Sequence, residues 1–500
     1  MRRFLVLMLA IPLSGCVIKP QAASREPERL DAVGRDFGYL TSRIADPRPN
    51  TPDLPTLPTW KDVLERAFRA NGDLEAAFHE WAMAVERIDQ AGTWPTSNVE
   101  LGFDYMFSSE RMKTFDRMTF SAGLMDATAL PNKTYENASV AWREAQSASE
   151  RFRAAKFDLQ MRVLQAWADY ALQAERIRIQ EANLDLLRLV SETAASRVRA
   201  GGAQQEQLRA DVELRLAENE LATARTTLDQ QRASLNALLR RAPDAPLQPP
   251  ATMPEPRPLP ATDDGLLAAG VANNADLAAL GFDVEARHAA IRRARLEYLP
   301  EINPMAAFTG SVSQSVGAAI TVPTQIPRIR AMVAESRADL RRVEASLAQA
   351  RSDRAGRFAA TLIALRDAER RAQLFNRDVL PLAEQTLDLT RRSYGAGSST
   401  YSDLIDTQRT LLDVRLMAAE AATKRERMLA ELEKALSQAG FFDRAADGHL
   451  RLSPKAMRQL GQSIFRDIAE QLSGRRGDRQ TRRTGLLGEP TGASREWEFG

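Results

Sequence analysis

Hydrophobic positions along this chain follow two rhythms, and the same succession of rhythms occurs twice. Residues 67–241 begin with helical spacing, pass through two short alternating stretches and continue as a very long helical hairpin; residues 264–440 repeat that order. In the first unit Val99, Leu101, Phe103, Tyr105 and Phe107 alternate with Glu100, Gly102, Asp104 and Met106. Beyond a polar turn from Ser108 to Arg117, Met118, Phe120, Ala122 and Leu124 alternate with Thr119, Ser121, Gly123 and Met125. A period of two sends successive side chains to opposite faces, so each stretch predicts a strand with one apolar and one polar side. In the second unit Ile302 to Gly310 and Ser315 to Val322 predict strands that are shorter and poorer in large side chains. There Val316, Ala318, Ile320 and Val322 alternate with Ser315, Gly317, Ala319 and Thr321.

The helical stretches are unusually long. Tyr135 to Arg197 contains neither proline nor glycine, which predicts about 95 Å of helix at about 1.5 Å per residue. An element of that length belongs to a coiled coil, a stalk or a tunnel wall. The chain reverses over Arg197 to Gly202 and returns from Gln204 to Arg240. In the second copy Arg328 to Arg377 ascends with a local bend expected at Pro381, Ser393 to Ser399 turns, and Tyr401 to Gln438 returns.

Sequence anchors align the two copies. Asn71-Gly72-Asp73-Leu74 matches Asn274-Ala275-Asp276-Leu277, and Val99 matches Ile302 at the same offset. Val198-x-x-Gly201 matches Tyr394-x-x-Gly397 at an offset seven residues smaller, which places the loss in a shorter second strand-loop-strand. A tandem unit that cannot bury its apolar face alone reads as one body. The expected divisions are a signal at 1–15, an extended segment at 16–59, repeats at 60–242 and 264–440, a proline-rich linker at 243–263, and an extension at 441–500.

The front of the chain adds a location. Arg2 and Arg3 precede the apolar run Phe4 to Leu13, which ends in Leu13-Ser14-Gly15-Cys16. A charged start, about ten apolar residues and a small-residue site make a secretory signal too short to span a membrane. Cys16 is the chain's single cysteine and sits at a lipobox position, which resembles a bacterial lipoprotein signal. That resemblance implies cleavage before Cys16, a diacylglycerol and an N-acyl chain on it, and, with Val17 following, retention at the outer membrane. With one cysteine, no disulfide or cysteine-based metal cluster forms within a chain.

Composition narrows the classes. Charged residues make up 27%, aromatics 6%, and the net charge is +2, with acids and bases interleaved through the helices. That pattern is a solvated helix surface and not a nucleic-acid footprint. Beyond the signal no apolar stretch approaches the ~20 residues of a membrane helix, so bilayer entry requires strands. Four strands from one chain close no barrel of useful bore, so a membrane role forces oligomerisation. His79, His288 and His449 are remote from one another, with no HExxH and no glycine-rich phosphate loop; the chain reads as a non-enzyme, with no cofactor and no metal site. Met106, Met112, Met118, Met125 and Met305 suggest soft-metal contacts, but fourteen methionines in 500 residues are unexceptional.

Together, the paired Asn-x-Asp-Leu helices, the strand pairs after Pro95 and Pro300 and the two hairpin tips resemble the TolC-type outer-membrane factor (outer membrane efflux protein) family. The resemblance covers essentially all of residues 60–440, and the lipobox points to its lipoprotein branch. It implies a mainly α fold with a small β part: a homotrimer whose strands share one transmembrane β-barrel, continued by a periplasmic α-helical barrel. It implies a passive exit duct, joined through a periplasmic adaptor (membrane fusion) protein to an inner-membrane pump of the RND type. Val198, Gly201 and Gly397 would then mark the tips that meet the adaptor. Asp403 and Asp406, three apart and so on one face of the returning helix, occupy the family's aperture aspartate positions. Tyr394 takes the place of a tyrosine that holds the closed state, Glu206 adds a further carboxylate, and Ser399 replaces a constricting arginine.

Three other roles compete. A periplasmic adaptor lipoprotein also carries a long hairpin, but one hairpin within a β-rich domain, whereas this chain has two. A duct of a type I protein secretion system shares the architecture and differs in cargo. A bare coiled-coil stalk leaves the strand pairs unused. Residues 441–500 hold an expected short helix from Pro454 to Ser473 and an arginine- and glycine-rich tail.

Overall fold

The computed structural model describes residues 16–40, 53–94, 99–107, 113–124, 131–199, 204–250, 274–309, 313–436, 442–444 and 450–452. The signal, Gly201, Met112, Met125 and the tail with its expected helix lie outside these residues. The chain divides into two compact units, one of residues 1–256 and 273–437 and one of residues 257–272 and 438–500. In the second, Phe442–Arg444 and Leu450–Leu452 pair as a short antiparallel ladder.

The larger unit opens with strand β1 (Cys16–Val17), a 3-10 turn (Gln21–Arg25) and helix α1 (Glu26–Phe37). Helices α2 (Trp60–Ala70) and α3 (Gly72–Gly92) follow, then strands β2 (Thr93–Trp94), β3 (Val99–Tyr105) and β4 (Met118–Leu124). The first hairpin is α4 (Pro131–Arg199) and α5 (Gln204–Leu238). The second repeat comprises α6 (Ala275–Leu296), β5 (Glu301–Thr309), β6 (Ser313–Thr321), α7 (Ile326–Leu374), α8 (Leu380–Gly395) and α9 (Tyr401–Leu436).

Helix α4 is the spine. Its 69 residues run about 104 Å and pack against α3, α5, α6 and α9. Phe78, Trp81, Val85 and Ile88 of α3 recur every three or four residues and meet Phe152, Leu159, Val163 and Trp167 of α4 in one buried core. The N-terminal segment joins this core. An extended run was expected over 16–59, yet Leu30 and Tyr39 are buried there and the Tyr39 hydroxyl donates to the Phe68 carbonyl at 2.6 Å. Proline density hides the helix in the sequence. Pro27 stands in the first turn of α1, where a missing N–H costs nothing, and Gly38 ends the helix at φ 74°.

Helices stack end to end through two asparagines, and this explains the repeated Asn-x-Asp-Leu motif. The Asn71 side-chain oxygen accepts from Asp73 and Leu74 amides at 3.1 and 3.2 Å, capping α3. Its amide nitrogen donates to the Leu238 carbonyl, the last of α5, at 3.1 Å. Asn274 does the same, accepting from Leu277 at 3.2 Å and donating to the Ala435 carbonyl of α9 at 3.0 Å. Each asparagine thus splices the C-terminus of a returning helix onto the N-terminus of a shorter one. Asp73 and Asp276 pair with Arg162 and Arg354 of their own ascending helices at 3.8 and 2.7 Å. Asn274→Ala loses a cap and strands a buried carbonyl, a cost of about 2–4 kcal/mol; thermal unfolding of the purified protein is expected to show it, with Asn274→Asp recovering only the cap.

The four long strands form one antiparallel sheet in the order β3-β4-β5-β6. Register carries the alternation across the repeat boundary: Phe103 faces Phe120, which faces Phe308, while Asp104 faces Thr119, which faces Thr309. Phe103, Phe120, Ile302, Ile320 and Val322 are exposed. The second pair is not shorter in its strands, which have nine residues each against seven in the first. Residues are lost from the connection, which is 310–312 in place of 106–117. Before Pro381, residues Phe375–Val379 form a π turn. Widening the helix there accommodates a residue that lacks a donor and whose ring would strike the carbonyl four residues back.

At the sheet end, β1 pairs with β2, placing Cys16 beside Trp94 and Val17 beside Thr93. Gly92 permits this approach, since a Cβ there would lie 3.0 Å from the Ile18 carbonyl oxygen. Buried Lys133, two residues into α4, bridges Glu297 at 3.4 Å and Glu301 at 3.0 Å, tying the first hairpin to the start of β5.

Candidate functional site at the hairpin ends

The far ends of the two hairpins share one small core. Leu187, Val190 and Ala194 of α4, Ala210 of α5, Leu387 and Tyr394 of α8, and Tyr401, Leu404 and Ile405 of α9 are buried together. Helix α8 ends in a tight left-handed cap. Gly397 has φ 79°, Ser398 N–H donates to the Ser393 carbonyl at 2.9 Å, and Gly397 N–H donates to the Tyr394 carbonyl at 3.1 Å. Only glycine enters that conformation without strain, which gives this position of the repeated tip its backbone reason.

Helix α9 starts on a reciprocal cap between Thr400 and Asp403. The Asp403 amide donates to Thr400 Oγ1 at 3.2 Å, and Asp403 Oδ2 accepts from the Thr400 amide at 2.9 Å and its hydroxyl at 2.7 Å. Ser399 Oγ also donates to it at 3.2 Å. These bonds, the Thr400 hydroxyl first, hold the Asp403 carboxyl below its ordinary value. The order this gives the helix start is therefore present above the ordinary carboxylate range and lost as pH falls below it. The protection of the Thr400 and Asp403 amides, taken relative to intrinsic exchange at each pH, is expected to fall below about pH 4.

Asp406 stands one turn on, exposed like Asp403. It borders a groove of about 460 Å³ between α5 and α9, with Leu208, Val212, Glu213, Ile405 and Arg409. Tyr394 is buried, its ring edge-on to Tyr401 at 6.5 Å. The Tyr401 hydroxyl meets no hydrogen-bond partner among the described residues. Burial, then the nearby Glu213 carboxylate, pushes it up to about 12. Glu206, half-buried in the first turn of α5, acts in the same direction. Val198 closes α4 half-buried.

Two polar ties hold the second hairpin to the first at this end. Arg409 of α9 ion-pairs with Glu213 of α5, and Gln408 Nε2 donates to Asn183 Oδ1 of α4 at 2.8 Å. The sequence reading missed both, together with Tyr401, because a tie between helices far apart in sequence has no spacing signature. The aspartate pair and the left-handed glycine did have one. Among the described residues no helix is long and apolar enough to cross a membrane.

Residues 266–438 match the model of the outer membrane efflux protein family. The chain is 24% identical over 383 residues to the cobalt-zinc-cadmium resistance protein CzcC of Cupriavidus metallidurans, covering 74% of this chain and 90% of that protein. A 117-residue stretch is 49% identical to an uncharacterized protein of Mycobacterium tuberculosis, covering 23% of this chain and spanning only 16% of that relative. The outer membrane protein VceC of Vibrio cholerae superposes with a TM-score of 0.64 at 19% identity, over 76% of this chain and 96% of that one.

Proposed function

We infer that this chain, which carries an outer membrane efflux protein domain on the fold of outer-membrane efflux channels, is the exit duct of a tripartite efflux system. The observation that carries the reading is the pairing of β4 with β5. It turns two separate hairpins into one four-stranded sheet with exposed large apolar side chains, whose outer strands β3 and β6 have no further partner strand among the described residues. A sheet in a bilayer must satisfy its edges, and copies of the same chain do so by pairing β6 of one with β3 of the next. A homotrimer closes the barrel in the outer membrane. Its hairpins then extend as a helical tunnel through the periplasm, and their ends, with Val198, Gly201 and Gly397 at the tips, meet an adaptor and through it an RND-type pump.

In that assembly Asp403 and Asp406 form an acidic ring at the periplasmic aperture, with Glu206 close by. Tyr394 and the two polar ties hold the end closed. The lipid anchor on Cys16 fits the place of β1, which pairs with β2 only four residues ahead of β3; Cys16→Ser is expected to abolish labelling of the protein by radioactive palmitate. The likeness to a protein named for cobalt-zinc-cadmium resistance makes divalent metal ions the first cargo to test, through the metal sensitivity of a strain lacking this chain. A passive duct does not itself ligate its cargo, so the methionines of the first strand pair are not required for this.

The deciding experiment is single-channel conductance in a planar bilayer. Discrete cation-preferring openings, blocked by a multivalent cation from the periplasmic side, support the duct. A protein that is well folded, not trimeric and silent overturns it in favour of an adaptor.

A further inference from the structure

One patch of this molecule is strongly basic and is used by none of the contacts described above. Helices α6 and α7 run antiparallel beneath the sheet and enclose a groove of about 390 Å³. Its lining brings together Arg292, Arg295, Arg337 and Arg341 with His288, over a floor of Ile291 and Leu340. Glu344 is its one carboxylate against four arginines. Arg292 is engaged by Glu136, at 2.9 and 3.1 Å. Arg295, Arg337 and Arg341 are exposed, and the nearby Asp339 is taken by Arg287 and Arg342 at 3.2 and 2.8 Å.

The arginines form a ladder that leads to the sheet. Arg330, Arg337 and Arg341 are seven and four residues apart, so they share one stripe of α7. Arg330 lies about 6 Å from the start of that helix, and Arg295 is one residue from the end of α6. The strands of the sheet begin and end a few residues away at Glu301 and Thr321.

Nothing in the repeat architecture requires this charge. At the tip offset, the matching positions of the first repeat are Thr134, Ala141 and Ala145, all buried. In the first repeat the stripe is packing surface; in the second it is exposed arginine.

We propose that the arginine ladder on α6 and α7 is a binding site for phosphate headgroups of anionic phospholipids in the adjoining membrane leaflet. Delocalised guanidinium groups suit phosphate oxygens, and basic side chains just outside a bilayer are each drawn to an anionic surface. The placement rests on the duct reading, which puts the sheet in the membrane, so that Arg295 and Arg330 stand at the headgroups and Arg337 and Arg341 lie about 17 and 22 Å down α7 from its start, where they add to the attraction from below. Lipid held on this side fixes the depth at which the helical wall meets the bilayer.

The test is lipid retention by the purified full-length protein in detergent, read by native mass spectrometry with added phosphatidylglycerol or phosphatidylcholine. Wild type is expected to retain phosphatidylglycerol over phosphatidylcholine, and Arg295→Gln/Arg330→Gln/Arg337→Gln to retain about tenfold less. Arg188→Gln/Arg215→Gln/Arg392→Gln, which removes equal charge far along the hairpins, is expected to leave retention unchanged. Equal loss in both triple variants, or no lipid preference in wild type, overturns the proposal. Displacement of the lipid by millimolar inorganic phosphate overturns the lipid assignment in favour of a soluble anion. If the ladder variant misfolds, single Arg337→Gln together with the salt dependence of wild-type retention decides the matter. A ladder variant that still conducts in a planar bilayer but has lost its lipid preference leaves the duct standing, whereas a silent wild type that keeps the lipid counts against the duct alone.

Discussion

Replacing Asp403 and Asp406 together by asparagine is expected to abolish block by multivalent cations and to remove most of the channel's cation preference. Carboxylates gathered at a constriction repel one another and attract cations, and a multivalent ion bridging several of them gains from every one. Block should weaken by about 100-fold or more in the double variant, since each lost charge-assisted contact is worth about 1.5–3 kcal/mol. The two positions separate cleanly. Asp403 also caps α9 through Thr400, a role in which an asparagine oxygen still accepts the Thr400 amide, whereas Asp406 has no part in that cap. Asp406→Asn alone therefore tests the aperture without touching the helix start. Unchanged block in a conducting double variant would remove the acidic ring from the account.

The second large effect concerns the tie between hairpins. Arg409 and Glu213 are partly exposed, so one pair contributes about 0.5–1 kcal/mol. Repeated in every subunit of the proposed trimer, its loss is expected to raise the open probability about 10- to 100-fold. Arg409→Gln and Glu213→Gln should each raise conductance, and the exchange Arg409→Glu with Glu213→Arg should bring it back down. Exchange without recovery would show that the pair is incidental to closure and that the apolar cluster around Tyr394 and Leu404 carries it.

Much of this molecule was legible in its sequence. The two strand pairs, both hairpins and the duplicated asparagine follow from periodicity and from a residue type that caps helices. What escaped was set by packing. Helix α1 hides among prolines because Pro27 and Gly38 read as loop residues until their places at its two ends are known. The loss in the second strand pair fell between its strands, since β5 pairs with β6 along all nine of its residues and with β4 over Met305–Thr309. At the hairpin ends, spacing located Asp403, Asp406 and Gly397. It was silent on Tyr401, on Glu213 and Arg409, and on Gln408 and Asn183, whose partners are defined only when α9 lies against α4 and α5.

The asparagine splices carry one more implication. Because Asn71 and Asn274 join separate helices into composite rods, the stretch of each hairpin nearer the tips than Tyr170 and Arg178, where Leu247 and Pro250 still lie on α4, is supported by paired helices. Whole turns added in register to α4 and α5, and to the second hairpin in step, would lengthen the molecule without disturbing the sheet or the splices. Reach is thus an adjustable dimension of this architecture: in the proposed duct it follows the spacing between two membranes while the sheet stays constant.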